Sequence, residues 1–360
     1  MSRITQALIS KNNLLHNIKT VKNKISSAKI IAMLKANAYG HGLVTIAKML
    51  ESEVAIIAVA SIDEALILKE AGITTEIMLI QGVFEKSELE LASKYDFHIV
   101  FNNKQQLKWL DEIKLLKPIK AWFKINTGMG RLGFEVEDTL LVYNHLLNHN
   151  NTIKPIRIIS HFACADNATH VLNKKQIDEF EKIKSLIKTE YSMCNSAGIL
   201  NFPECHYEFV RPGIILYGVS PLTNTTGKDL GLKPVMTFKS QIMAIQNRKK
   251  DTSIGYNGNY VLSNDTPVGI VACGYGDGYP LTITPGTPVL INGKEYPIIG
   301  RVSMDMLAVD LTSCNKAEVG SSVTLWGEDL PLEKICANTN NIVWNILTSI
   351  QSRVKCIAVE

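Results

Sequence analysis

The chain has 360 residues, of which 46% are hydrophobic and 20% charged, with 38 Lys and Arg against 34 Asp and Glu for a net charge of +4. This balance excludes an intrinsically disordered chain and leaves room for two domains, or a barrel plus a second unit. The positive excess is small and scattered, with Arg248-Lys249-Lys250 as its only tight cluster, which excludes a nucleic-acid footprint.

In chain order, the first strong element is the apolar run Lys29–Leu34, short enough for a buried parallel strand and ended by Lys35. A lysine at the carboxyl end of such a strand sits where α/β folds place their chemistry, and partial desolvation there frees a nucleophilic amine. The plain alternative is a lysine that snorkels out of the strand end. Further strand-like runs are Val54–Val59, Glu76–Ile80, Phe97–Phe101, Ile119–Ile125, Ile156–His161 and Phe209–Arg211, with a weaker one at Tyr191–Cys194. Amphipathic stretches separate them. Ser61–Ala71 opens with a capping-box pattern, Ser61 and Glu64, and Lys174–Lys188 repeats Ile177, Phe180, Ile183, Leu186 and Ile187 at helical spacing. About eight strand–helix units predict an α/β fold, a (β/α)8 TIM-type barrel, although a doubly wound sheet gives a similar alternation.

From about residue 230 the runs are β-rich: Val235–Ile245, Val268–Ala272, Thr287–Ile291, Leu307–Leu311 and Ser322–Trp326, with a hairpin turn at Asn292-Gly293 and a helical stretch around Leu332–Ile350. The predicted organisation is a barrel domain over residues 1–228 and a mostly β domain over 229–360, with a soft boundary near 222–234. The amino terminus lacks an apolar signal core and no stretch reaches the ~18 apolar residues of a membrane span, so a cytoplasmic protein without a membrane partner is expected. The seven cysteines include no Cys-x-x-Cys pair, and neither His161-x-x-Cys164 nor Cys205-His206 has a second half-site; reduced thiols and no metal are expected.

Several barrel strands end in polar residues that a strand does not need: Lys35, Lys124 with Asn126, His161, Asn195-Ser196 and Arg211. On a barrel these ends share one mouth, and together they describe a site for an anionic substrate or cofactor around the candidate lysine. Gly128-Met-Gly-Arg-Leu-Gly133 matches G-x-G-x-x-G, but a dinucleotide fingerprint opens a helix and has a carboxylate ~20 residues later, where this chain reads Ile153-Lys-Pro-Ile-Arg. The loop is better used to set Arg131 for pairing with a carboxylate. In the β half, Tyr256 and Tyr275 stand among glycines, either as turn supports or as a phenol poised as a base. Ser303-Met304-Asp305, after Arg301, reads as another loop of the mouth.

Met33-Leu-Lys-Ala-Asn-Ala-Tyr-Gly-His-Gly42, Thr127–Gly133, His161, Asn195-Ser-Ala-Gly198, Arg211-Pro-Gly-Ile214, Gly255-Tyr256, Gly274–Tyr279, Gly300-Arg-Val-Ser-Met-Asp305 and Ser352-Arg-Val354 follow one another with the spacing of a known family. The chain resembles bacterial alanine racemase, a fold-type III pyridoxal 5'-phosphate (PLP) enzyme, along nearly its whole length. The resemblance implies a barrel followed by a β domain, a homodimer with shared active sites, alanine as substrate, and a supply of D-alanine for peptidoglycan. By resemblance Lys35 carries the cofactor and is one base, and Tyr256 of a partner subunit is the other. Arg211 faces the pyridine nitrogen, and Tyr39, Ser196, Gly213 and Ile214 bind the phosphate, with Asn195 beside them. His161 lies against the ring. Arg131 and the partner's Met304 meet the substrate carboxylate. Lys124, Tyr275 and Asp305 support the site, and Arg301 and Asp166 border the access passage.

Two departures stand out. Many members of the family have Asp where this chain has Asn126, two residues after a lysine that is often carbamylated and matches Lys124. Some also have a tyrosine touching the phosphate where this chain has Ser352. The competing readings are a racemase of other specificity, such as serine, a decarboxylase on the same fold, and a single-barrel PLP carrier. Arg211-Pro-Gly in place of Glu-Pro-Gly argues against the decarboxylase, and the β domain argues against the carrier.

Overall fold

The structure is a computed structural model that describes residues 3–314 and 316–360. Its first strand, β1 (Gln6–Ser10), alternates half-buried and buried residues, and the Ser10 side chain caps the helix Lys11–Lys22 that leads into the barrel. The barrel strands are β2 (Lys29–Met33), β3 (Ile56–Val59), β4 (Glu76–Leu79), β5 (His98–Phe101), β6 (Ile119–Lys124), β7 (Thr152–Ile159), β8 (Tyr191–Ser192) and β9 (Phe209–Val210). All pair in parallel, and Ile30 on β2 meets Val210 on β9, closing the ring. The doubly wound alternative is thereby excluded. Closure also brings every strand's carboxyl end to one mouth.

The expected helix after β3 is Ile62–Glu70, with Ser61 accepting the Glu64 N–H. The capping box is only half made. Glu64 Oε2 accepts instead from the Ala60 N–H at 2.8 Å, and Oε1 from Asn37 N–H at 3.4 Å, so this carboxylate ties the helix to the loop that carries Lys35. The helix Val171–Leu186 buries Phe180 and Ile183 as its periodicity predicts, together with Gln176, a polar side chain on the apolar face.

The second domain contains β10 (Met236–Arg248), the small hairpin β11 (Ser253–Ile254) and β12 (Tyr260–Val261), β13 (Thr266–Val271), β14 (Pro288–Ile291), β15 (Lys294–Ile299), β16 (Leu307–Asp310), β17 (Ser322–Trp326) and β18 (Lys355–Val359). The long strand β10 pairs with β17, shifts register between Ile242 and Ala244, and continues against β13. The ring β10-β17-β14-β15-β16-β13 therefore closes on itself. β1 adds to β10 antiparallel and to β18 in parallel, so residues 6–10, ahead of the barrel in sequence, belong to this second sheet. Asn292 and Gly293, both with positive φ (51° and 76°), make the expected tight hairpin between β14 and β15. The stretch expected to be helical around 332–350 is two short helices, Leu332–Cys336 and Val343–Thr348. Between them the Asn341 N–H donates to Thr339 Oγ1 and the Cys336 thiol to the Asn341 carbonyl, local bonds that replace the helical ladder.

Candidate active site

Past β2 the chain does what L-residues avoid. Ala36, Asn37, Ala38 and Tyr39 all have φ between 52° and 54°, followed by Gly40 at 80°, one turn of left-handed helix. Such a turn costs roughly 1–2 kcal/mol per residue and persists only where its surroundings over-determine it. Here Ala38 N–H bonds the Leu34 carbonyl at 2.7 Å, Asn37 Oδ1 accepts from Leu43 N–H at 2.8 Å, and a Cβ on Gly40 would sit 2.1 Å from the Leu347 carbonyl oxygen. The turn begins at Lys35 and ends at Tyr39, and it projects both residues into a single cavity of about 1280 Å3 at the barrel mouth.

Lys124, Arg131, His161, Asn195, Ser196, Arg211, Gly213, Ile214 and Asp166 line the same cavity. Residues scattered over some 180 positions of sequence thus become neighbours, as the closed barrel requires. With Lys35, four basic side chains meet here: Lys35, Lys124, Arg131 and Arg211. Burial, then Arg131, lowers the Lys35 pKa, with Glu64 opposing. Lys124 is lowered to about 7, first by burial and then by Arg211, Arg131 and Lys35, with no carboxylate offsetting them. Burial and the same cations push His161 well below its ordinary value, so its ring is neutral.

Arg211 is held from three sides: Nη1 donates to Ser192 Oγ at 2.6 Å, and Nη2 to the carbonyls of Ser160 and Met193. Nη2 also lies 3.1 Å from His161 Nδ1. An arginine only donates, so Nδ1 accepts and the imidazole proton is on Nε2. Ser196 Oγ accepts from Gly213 N–H at 2.8 Å. A Cβ at Gly213 would lie 2.6 Å from the Tyr39 hydroxyl, so only glycine lets the phenol approach this backbone. Burial pushes Tyr39 up to about 12, which keeps it a hydrogen-bond donor. Asn195 is chiefly a helix cap, accepting from Gly198 N–H at 2.9 Å. Asn126 Oδ1 accepts from Gly128 and Gly130 N–H and so shapes the glycine loop that carries Arg131. No helix follows directly; the next α-helix starts at Thr139, against the dinucleotide pattern.

Tyr256, Tyr275, Met304 and Asp305 do not line this cavity. They lie on three touching loops of the second domain. Gly255, with φ of 79°, packs against the Arg301 backbone, Tyr275 N–H donates to the Ser303 carbonyl, and Gly276 N–H to the Met304 carbonyl at 2.8 Å. Tyr256 is 67% and Met304 53% exposed.

The sequence reading did not single out Ser192, Gln176 or His41. Gln176 Nε2 donates to the His161 carbonyl at 2.8 Å and its Oε1 accepts from Ala163 N–H, fixing the segment after β7. Its signal was available, a polar residue on an apolar helix face. Ser192 had none, because a two-residue strand carries no pattern. All seven cysteines are free thiols, and His206, flanking Cys205, bonds the Ile199 carbonyl. Among the described residues one cluster of metal-type ligands, Asp111, His145 and His149, does not line the cavity. Asn151 N–H donates to His149 Nδ1, which leaves the ring proton on Nε2, 3.3 Å from Asp111 Oδ1, so neither nitrogen of this ring is a free ligand as it stands.

Residues 9–221 match the family described as alanine racemase, N-terminal domain, and residues 235–358 match alanine racemase, C-terminal domain. The chain is 42% identical over 355 residues to the alanine racemase of Legionella pneumophila (99% of both chains). It is 41% identical over 348 residues to the biosynthetic alanine racemase of Escherichia coli K12 (96% of this chain, 97% of the relative). The crystal structure of biosynthetic alanine racemase from Pseudomonas aeruginosa superposes with a TM-score of 0.96 at 34% identity, covering 99% of this chain and 100% of the other. Among the described residues no helix is long and apolar enough to cross a membrane.

Proposed function

The chain belongs to the alanine racemase family, and on that premise we propose that it interconverts L-alanine and D-alanine by two-base catalysis on PLP. The observation that carries this reading is the convergence of Lys35, Lys124, Arg131 and Arg211 in one cavity, where Lys124 answers to three cations and no carboxylate. A dianionic phosphate and a substrate carboxylate are the charges such a site lacks. The residues fit the cofactor. Tyr39 and Ser196, with the backbone at Gly213 and Ile214, form a hydroxyl- and amide-lined cradle closed to any larger residue at Gly213. Lys35, its pKa lowered by burial, offers the amine.

When bound, PLP supplies an aldehyde for covalent attachment and an electron sink that acidifies the substrate's α-proton. Lys35 then moves that proton on one face. Tyr256 of a second copy moves it on the other, which is why an exposed tyrosine outside its own cavity belongs in the mechanism. Arg211, which only donates, would face the ring nitrogen and leave it unprotonated, which would keep the electron sink weak and favour reprotonation over side reactions. Arg131, together with Met304 of a second copy, receives the substrate carboxylate, Tyr275 and Asp305 support the site, and Arg301 and Asp166 border the access route. From the family we also infer a cytoplasmic homodimer whose D-alanine serves peptidoglycan.

PLP-loaded protein incubated with L-alanine in heavy water tests the reading. Optical rotation should fall to zero while deuterium enters the α-position. Exchange without loss of rotation would mean one working face, and neither signal with alanine but both with serine would transfer the assignment to serine.

Lys124 is also the site where CO2 adds as a carbamate, the amine nitrogen bonding carbon with loss of one proton; the new carboxylate then positions Arg131. Only the neutral amine reacts, so the modification should grow as pH rises through about 7 and vanish well below it. Labelled bicarbonate should give a carbamate resonance that Lys124→Arg removes. A native mass without the added CO2 at pH 8 would refute it.

A further inference from the structure

The left-handed turn from Ala36 to Tyr39 sets the direction of both Lys35 and Tyr39, and its Ala38 carbonyl already accepts from the His41 backbone N–H at 3.1 Å. One side chain reaches that carbonyl as well as the Tyr39 carbonyl beside it. His41, fully buried, places Nδ1 2.9 Å from the Tyr39 carbonyl and 3.1 Å from that of Ala38. Its ring stacks on Tyr217 at 4.5 Å, and Tyr217 in turn lies 5.0 Å from the Tyr39 ring and donates its hydroxyl to the Met33 carbonyl at 2.9 Å. His41 therefore reaches the turn twice, through its N–H and through an aromatic stack ending on Tyr39.

We propose that His41 is a positioning residue for cofactor capture: its Nδ1–H holds the left-handed turn, and through it the Lys35 amine and the Tyr39 hydroxyl, in the geometry that receives PLP. The proposal rests on the PLP reading of the cavity and adds a residue to it. Burial lowers the His41 pKa to about 4, so the ring is neutral at working pH and has one proton to place. Two carbonyls at Nδ1 fix it there, since a carbonyl can only accept. With the proton on Nδ1, Nε2 is an acceptor, and among the described residues it has no protein donor. His41 and Trp326, whose Nε1 also lacks a partner, line one void of about 10 Å3, close to the size that admits a single water. Among the described residues no titratable group competes at Nδ1. Glu333, which borders the same void, accepts from Ser220 and Gly227 N–H instead.

Two variants separate the donor from the ring. His41→Phe keeps an aromatic face for Tyr217 and loses the N–H; His41→Asn loses the stack and keeps an amide N–H near Nδ1. The full-length protein, stripped of cofactor, is titrated with PLP. Three signals are followed: the dissociation constant, the visible circular dichroism of bound cofactor, and borohydride-trapped PLP on Lys35 located by mass spectrometry. His41→Phe should bind PLP about tenfold more weakly or worse, with a diminished dichroic band, and His41→Asn should restore both to near the parental level. Parental binding and dichroism in a folded His41→Phe would overturn the proposal, as would a folded His41→Asn that binds no better than His41→Phe. Should His41→Phe not fold, His41→Asn decides alone, by keeping or losing the parental values. A parent protein that traps no PLP on Lys35 would sink the cofactor reading itself, a result that neither variant can imitate.

Discussion

Replacing Lys35 by Ala is expected to remove covalent cofactor attachment and to lower racemisation about 10,000-fold or more, since both the attachment point and one base are lost. Tyr256→Phe, which deletes only a proton-transferring hydroxyl, should cost between about 100- and 10,000-fold in turnover and leave PLP binding intact. Neither change should unfold the protein. Lys35 is itself disfavoured as a cation by Arg131 and in turn lowers Lys124, so its removal relieves repulsion, and the Tyr256 ring is 67% exposed. The decisive experiment mixes the two inactive proteins under conditions where subunits exchange. Where each site takes Lys35 from one copy and Tyr256 from the other, a mixed dimer holds one site with both defects and one with neither. Random pairing then restores about a quarter of the parental activity. No recovery on proven exchange would break the shared-site assignment. Recovery would establish it without any structure of the complex.

How much of this was legible in the residues varies with the physics behind each part. Most of the barrel strands stood out because parallel strands buried on both faces are largely apolar, as Ile56–Val59 is, whereas Tyr191–Ser192, only two residues long, gave a weak signal. The choice between a closed barrel and an open sheet did not stand out, because closure rests on a single pairing, Lys29 and Ile30 against Phe209 and Val210, between strands far apart in sequence. β1 escaped notice for a related reason: five residues carry little pattern, and their partners, Met236–Lys239 and Lys355–Val359, lie more than two hundred positions away. At the site, Lys35, Lys124, His161 and Arg211 could be picked out because a polar residue ending an apolar run is a local signal. The left-handed turn could not be. Ala36-Asn-Ala-Tyr39 has no glycine until position 40, and its conformation is imposed by His41, Asn37 and the Leu347 carbonyl rather than by its own preferences. Glu64 was read as half of a capping box and is instead a tie to that turn, because the Asn37 N–H competes for the same carboxylate.

Asp277 should prove the most sensitive residue of the second domain, although it touches neither cavity nor cofactor. It is fully buried within the loop that carries Tyr275. Oδ1 accepts from Arg3 Nε at 2.7 Å and lies 2.8 Å from Arg353 Nε; Oδ2 pairs with Arg3 Nη2 and accepts from Gly274 N–H at 2.9 Å. Arg3 and Arg353 go on to bond the second loop: Arg3 the Asp305 carbonyl, and Arg353 the Asp305 carboxylate at 2.7 Å and the Met304 carbonyl. One carboxylate thus ties a residue near each end of the chain to the two loops that present Tyr275 and Met304. Removing the buried partner strands two guanidinium groups, a change that typically costs about 3–5 kcal/mol. Both arginines are partly exposed, at 26% and 36% of their side chains, and can turn toward water, so Asp277→Ala should fall at the lower end of that range. A loss of about 3 kcal/mol lowers the melting midpoint by roughly 4 °C in a protein of this size. Asp277→Asn keeps the shape and the Gly274 bond but not the charge, and should lose most of the same stability. Because the lost contacts orient loops rather than the cavity, PLP affinity should hold at temperatures where the variant is folded while turnover falls. An Asp277→Asn protein with parental melting would mean that the arginines are held by Asp305 alone, and the two loops would then have to be ordered by the subunit contact instead.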